Sequence, residues 1–448
     1  METKLEKKFG LFTAICMVVG IVIGSGVFFK AEAVLTKTGG NLSVGILAFI
    51  IMGVVMIISA CTFGVVAQNH QDVEGLVGYA RASCGKTYGY YVGWFMAVIY
   101  YPSLVAVLSW LPARYFGVLM GWEDAVVGGR TMMLAGVFMI VTYTMNALAP
   151  RLAGRFAITT TVIKLIPLLL MAVVGTIVGL GNGMTSFNFT HVVTEIPFAE
   201  GLFGAVVSLA FAFEGWICAT SIGTELENPK KNMPRALLIG TVIIAVVYVV
   251  YYIGLAGAVE SEVMMAGGET GAKLAFQNVF GQVGGALIFA FVVISCWGTC
   301  NGLTMAVTRG MFDLASECES PRLAMFRSVD PNTGMANNSA VFGLLVSSLW
   351  LLYFYGGTIM NGFGPFKFDS SELPIITLYV LYIPLYIALM RRRDLPAFRG
   401  KVMPVLAILC SLFMVFAAVY SHGMNVAWYL VVFAVIELIG AAFRGRTA

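Results

Sequence analysis

Twelve apolar runs, each about twenty residues long, constrain this chain more than any other feature. That is the length an α-helix needs to cross the hydrocarbon of a bilayer. The runs lie near residues 11–29, 42–67, 88–111, 131–150, 156–181, 201–224, 236–259, 283–308, 339–362, 373–390, 402–421 and 424–443. Composition agrees: 59% of the residues are hydrophobic and 11% charged, where a soluble domain carries about 25% charged residues. The expected fold class is therefore all-α integral membrane, with twelve transmembrane helices and the lipid bilayer as solvent. The first run ends without a small-residue cleavage site, and another long run follows at once. It reads as the first membrane helix rather than a signal peptide.

Twelve crossings put both termini on one side, and the basic residues choose which. With a cytoplasmic N-terminus, 20 of the 27 Lys and Arg residues fall in inner segments. Six fall in outer segments: Lys30, Lys37, Arg114, Arg130, Lys273 and Lys367. The last, Lys164, lies inside the fifth run. This bias places both termini in the cytoplasm, and the expected location is the plasma membrane. It also accounts for the formal net charge of +4 without nucleic acid as a partner. The run Arg391–Arg393 reads as a topology anchor.

The eight cysteines give no disulfide framework. Six lie in apolar runs, and Cys84 and Cys318 fall in inner segments. Cys296 and Cys300 are four apart on an uncharged helix without a histidine, so no metal site is expected. No cofactor is implied. The longest polar stretches are the outer loop 260–282 and the inner loop 313–337. Neither holds a soluble domain.

Two runs carry signs of a break. The first contains GIVIGSGVF at 20–28. Glycine costs roughly 1 kcal/mol in a helix interior, so the cluster Gly24-Ser25-Gly26 near mid-span suggests an interruption. In lipid a break is tolerated only where it is buried or lines a cavity. It exposes N–H groups on one half, suited to a carboxylate, and C=O groups on the other, suited to an ammonium. Close helix packing through small residues is the other reading of Gly20 and Gly24. The sixth run reads FAFEGWICATSIGTELENPKKNMPRAL at 211–237. Glu214 and Gly215 sit well inside it, flanked by Phe211, Phe213 and Trp216, and Asn228-Pro229 ends the span. A carboxylate at mid-membrane costs roughly 2.5–3.5 kcal/mol on insertion scales, so it marks function by default. The interruptions are five crossings apart, an odd number, so a repeat of helices 1–5 by helices 6–10 must be inverted. Interrupted helices at matching positions of two halves point to a transporter site.

These segments resemble the amino acid–polyamine–organocation superfamily, and within it bacterial relatives of the L-amino-acid transporter family. The residues that carry the resemblance are Gly24, Ser25 and Gly26 in helix 1. In helix 6 they are Phe211, Ala212, Phe213, Gly215 and Trp216, followed by Glu225 and the turn Asn228–Pro234. Lys164 matches in helix 5. The resemblance covers essentially the whole chain. It implies a LeuT-type fold with a 5+5 inverted repeat and discontinuous helices 1 and 6, plus two C-terminal helices. As one transporter domain, 11–181 would form the first repeat, 201–392 the second, and 402–443 the additional pair. The backbone amides of Ser25, Gly26 and Val27 would hold a substrate carboxylate. The carbonyls of Val22, Phe211 and Glu214 would receive the α-amino group. Phe211 would gate the site from above. The segment 117–130 lacks the cysteine that animal members use to bind a glycoprotein, so no disulfide-linked subunit is expected. Glu214 departs from the family, whose members are often not acidic there. The turn Thr308–Phe312 only loosely follows the family pattern.

Single residues keep two readings each. Lys164 lies about eight residues into its run, so about 12 Å deep at about 1.5 Å per residue. It either snorkels to the interface or sets its ammonium against exposed helix 1 carbonyls, where sodium-driven relatives bind a cation. Glu214 either recognises a cationic side chain or a proton, or caps the second half of helix 6. Glu225 reads as a structural tie at the inner end of helix 6. Tyr100, Tyr101 and Pro102 either line the site or pack. Glu437 reads as a helix–helix contact. His70, His191 and His422 lie near run ends without a visible catalytic partner.

The leading expectation is a sodium-independent amino-acid transporter exchanging small or medium neutral L-amino acids by alternating access. A proton-coupled importer of cationic amino acids or polyamines is the alternative that Glu214 favours. An enzyme would need clustered nucleophiles, metal ligands or paired carboxylates within the spans. A receptor would add a soluble domain.

Overall fold

The computed structural model describes residues 10–70, 75–318 and 320–444; for 221–225 only the backbone is described. Among these residues, eleven helices are long and apolar enough to cross a membrane, and a bent pair makes a twelfth. The bent pair is α1 (Leu11–Val22) and α2 (Ser25–Lys37), which meet at 48°. Next come α3 (Leu42–Asn69), the short α4 (Gly75–Cys84), α5 (Lys86–Leu119), α6 (Gly129–Leu148), α7 (Pro150–Gly181) and the short α8 (Met184–Thr190). The second half holds α9 (Phe198–Ala212), α10 (Pro229–Ala256), the short α11 (Ser261–Gly267) and α12 (Glu269–Glu317). It ends with α13 (Asn337–Ile359), α14 (Leu373–Met390), α15 (Phe398–His422) and α16 (Met424–Arg444). Inner and outer are used below in the sense that the basic-residue bias gives.

Three expectations shift. The third span is longer than its apolar run, from Lys86 to Leu119. The sixth is α-helical only to Ala212. The expected outer loop 260–282 is mostly helix, because α11 and the first turns of α12 occupy it. α12 bends at Gly281, whose φ of 75° is a conformation L side chains rarely adopt. Its outer arm is polar, so it reads as loop in a hydropathy profile.

Burial sorts the helices. In the most apolar window of α5, 89% of residues are buried, and in that of the sixth span 83%, against 11% for α16. α5 and α9 are therefore central, and α16 faces outward along most of its length. Large apolar side chains such as Ile158, Val162, Ile177 and Leu438 are exposed. On a soluble protein this surface would be an aggregation liability; here lipid covers it. Glu437 on α16 makes no helix–helix hydrogen bond: neither carboxylate oxygen has a partner among the described residues. The tie expected of Glu225 lies outside the described side chains, as the N-terminal lysines lie outside the described residues.

Two prolines inside spans free carbonyls that side chains from other helices take. Pro102 has no N–H for the Val98 carbonyl, and the Trp350 indole of α13 donates to that oxygen at 2.9 Å. A π-helical turn at Met96–Tyr100 adjoins the same place. Pro234 likewise frees the Lys230 carbonyl, which accepts from the Gln68 amide of α3 at 2.6 Å. Such side-chain bonds let helix-breaking residues persist in lipid. α6 and α12 are joined by a buried Asn146–Asn301 hydrogen bond of 2.8 Å. These ties build a scaffold around the two interrupted helices.

Candidate substrate site at two helix breaks

The first break opens at Val22. The Ile23 N–H still reaches the Val19 carbonyl at 2.9 Å, so Gly20 O is the first carbonyl whose helical partner is lost. The Lys164 ammonium of α7 donates to Gly20 O. Lys164 is 6% exposed, so it does not snorkel to an interface. Close approach of α7 is what makes this reach possible: a Cβ on Gly20 would stand 3.0 Å from the Thr161 methyl group.

On the other side of the break, α2 begins at Ser25 with no side-chain cap. The Ser25 N–H donates to Thr299 Oγ1 of α12 at 3.3 Å. One of the three amides expected at the site is thus committed to the scaffold, which leaves those of Gly26 and Val27. Gly26 lies against α9: a Cβ there would come within 2.7 Å of the Ala212 Cα and 3.2 Å of the Phe211 carbonyl oxygen. Any side chain would force the start of α2 away from the end of α9.

The second break covers Phe213, Glu214 and Gly215, after which a 3-10 turn runs over Trp216–Glu225. Gly215 has φ 105°, which only glycine adopts without strain. The C-terminal carbonyls of α1 and α9 end near each other, and Tyr248 of α10 joins them. Its hydroxyl oxygen is 3.0 Å from Val22 O and 3.1 Å from Ala212 O. One hydroxyl proton serves two acceptors, a position with the chemistry of an ammonium site. Tyr248→Phe should therefore weaken substrate binding about tenfold, the effect of one lost hydrogen bond of about 1–1.5 kcal/mol. Scintillation proximity binding with purified protein would measure it. Unchanged affinity would remove Tyr248 from the site.

The expected site residues do not all turn inward. Phe211 packs edge-on to Phe29, with ring centres 6.1 Å apart, and the Lys30 ammonium lies 5.6 Å from its ring. Phe213 packs between Phe49 at 6.1 Å and Tyr248 at 5.0 Å and is fully buried. Its ring is core, while its backbone belongs to the break. Trp216 packs on Phe63 and Tyr382.

Glu214 does not cap an α-helix, since a 3-10 turn follows. Its Oε1 accepts from the Tyr100 hydroxyl at 2.9 Å. Its Oε2 is buried without a partner among the described residues. The hydroxyls of Tyr379 and Tyr382 on α14, likewise without a partner among the described residues, lie within electrostatic reach. An unmet acceptor and two unmet donors thus share one buried region. Buried polar groups are rarely left so, and the cluster suits a substrate side chain that carries hydrogen-bonding groups. Tyr379, Tyr382 and Tyr386 recur at helical spacing, a stripe that sequence reading could have singled out. Tyr248 and Thr299 carry no such signal.

The amino acid permease family matches this chain over residues 9–442. Among curated proteins, the chain is similar to the serine/threonine exchanger SteT of Bacillus subtilis (strain 168), 26% identical over 95% of this chain and 94% of that protein. It is 24% identical to the mouse (Mus musculus) b(0,+)-type amino acid transporter 1, over 98% of this chain and 88% of the relative. It is 23% identical to the glutamate/serine transporter AimA of Bacillus subtilis (strain 168), over 94% of this chain and 78% of the relative. The matches span nearly all of this chain, both breaks included, and the chain belongs to the amino acid permease family.

Proposed function

We propose that the protein exchanges small neutral L-amino acids across the plasma membrane by alternating access, without sodium. The observation that carries this reading is the pairing of the two breaks. The Gly26 and Val27 amides at the start of α2 stand beside the carbonyl ends of α1 and α9 that Tyr248 joins. A carboxylate on the amides and an ammonium on the carbonyls would place a zwitterion there. The Lys164 ammonium on Gly20 O supports independence from sodium, because it puts a fixed positive charge where a metal cation would compete for helix 1 carbonyls. Names of relatives point the same way: two of them are a serine/threonine exchanger and a glutamate/serine transporter. In this reading 11–181 and 201–392 are inverted repeats that rock against each other, with 402–443 outside them. Both termini are cytoplasmic, and no glycoprotein subunit is linked by a disulfide.

Counterflow in proteoliposomes tests the reading. Vesicles are loaded with one unlabelled amino acid at a time, without sodium. Serine, threonine and alanine are expected to drive labelled uptake. Absence of counterflow with every neutral amino acid would overturn exchange.

The unmet Glu214 Oε2 favours a second reading, in which the substrate side chain is cationic and transport is proton-coupled. Arginine, ornithine and putrescine in the same panel separate the two. Glu214→Gln keeps the shape and the Tyr100 contact but removes the charge. Under the neutral-substrate reading it should change serine uptake less than about threefold. Under the cationic reading it should abolish arginine uptake, since an unpaired buried guanidinium costs several kcal/mol.

A further inference from the structure

Three buried side chains and the partly exposed His422, from four elements, meet on the outer side of the site. Glu372, at the N-terminus of α14, holds Lys30 of α2 at 2.6 Å and Ser208 of α9 at 2.8 Å through Oε1. Its Oε2 is 3.0 Å from the His422 Nε2 at the end of α15. Lys30, Glu372 and Ser208 are 3%, 5% and 2% exposed. The His422 side chain is 14% exposed. Lys30 was counted among the outer-segment cations and His422 as lying near a run end without a visible catalytic partner; both side chains belong to this cluster.

We infer that Glu372 is a positioning residue for transport: by gathering Lys30, Ser208 and His422 it locks the outer halves of both broken helices to α14 and α15, and this lock releases when the site opens outward. The inference rests on the alternating-access reading above.

Three observations support it. First, location: Ser208 is four residues before Ala212, and Lys30 four residues after Gly26, so each lies about one turn, roughly 6 Å, from the contact between the two breaks. Second, Lys30 also stands 4.8 Å from the Phe29 ring and 5.6 Å from that of Phe211, so the cluster is mechanically joined to the aromatic cover of the site. Third, energetics: a buried ion pair often contributes little more to stability than apolar residues of the same size, while removal of one partner is costly. Such a cluster is weakly justified as cement and well suited to holding one arrangement against another. A second outer pair, Arg114 of α5 with Glu269 of α12, stands on the scaffold side of Phe29, whose ring Arg114 approaches to 5.7 Å.

Hydrogen exchange read by mass spectrometry on the full-length protein in detergent, with outer-side exchange kinetics in proteoliposomes, tests the lock. His422→Leu removes one donor at similar volume; Glu372→Gln removes the charge at the centre. Both should raise exchange in 25–37 and 198–212 and leave 86–119 unchanged. Because the outward-open fraction rises, the outer KM should fall about three- to tenfold while kcat falls. Unchanged exchange in 25–37 and 198–212 would overturn the lock, as would a rise spread evenly into 86–119, which is loss of fold. Should Glu372→Gln fail to fold, His422→Leu decides alone. Hydrogen exchange needs no transported substrate, so a wild-type protein that fails to exchange amino acids would sink the proposed function while the lock is still judged.

Discussion

Gly26→Leu is expected to abolish transport while folded protein remains in the membrane. A Cβ at this position would already stand 2.7 Å from the Ala212 Cα, so a leucine drives α2 and α9 apart where their ends form the proposed site. Overpacking of this kind costs about 1–3 kcal/mol in a well-packed interior. A twelve-helix protein survives that cost, because the rest of the packing is untouched. The site does not, since its amides and carbonyls lose their spacing and the leucine fills the gap. Uptake should fall at least about a hundredfold, the loss of two hydrogen bonds to a charged group at about 1.5–3 kcal/mol each. Size-exclusion profiles and uptake in proteoliposomes measure the two halves of the expectation. A well-folded Gly26→Leu protein with normal uptake would mean the substrate binds elsewhere.

Lys164→Ala is expected to slow turnover about ten- to a hundredfold, with a smaller effect on the amount of folded protein. The charge-assisted bond to Gly20 O contributes about 1.5–3 kcal/mol, and a factor of ten corresponds to about 1.4 kcal/mol. Gly20 O is a carbonyl that the break itself has freed, so no other backbone group replaces the ammonium. α1 would then lose its hold on α7, and the two would no longer move in register. Lys164→Gln, which restores a neutral donor, should recover part of the rate. Comparison of kcat with purified-protein yield gives the answer. Equal kcat in wild type and Lys164→Ala would reduce the contact to packing.

Legibility divides along the range of the interactions. Twelve crossings and both breaks could be read because each signal is local. Apolar length marks a span, glycine clusters mark a break, and a carboxylate in an apolar run stands out by its cost. Lys164 was also legible, as a cation too deep to reach water easily. The outer cluster was not. Lys30 and Glu372 are 342 positions apart, and a count of basic residues treats Lys30 as an anchor wherever its side chain points. Tyr248 and Thr299 are single hydroxyls in apolar runs, and nothing in periodicity says which hydroxyl meets a broken end. Phe213 shows the opposite limit. The break was legible, but the direction of each side chain within it depends on the turn at Gly215. The polar outer arm of α12 read as loop because Glu269, Lys273, Gln277 and Asn278 lower its hydropathy below that of a span.

The Tyr248 hydroxyl has one proton for two carbonyl oxygens, so at any instant one of them is short of a donor. A primary ammonium brings three protons. In the proposed site it can satisfy both carbonyls and keep a third proton for a neighbouring group. Each N-methyl group would remove one, until a trimethylated nitrogen has the same charge and nothing to donate. Discrimination at this end of the substrate would therefore be a matter of stoichiometry. The proposed site would distinguish amines by how many protons they hold, a criterion that charge alone cannot supply.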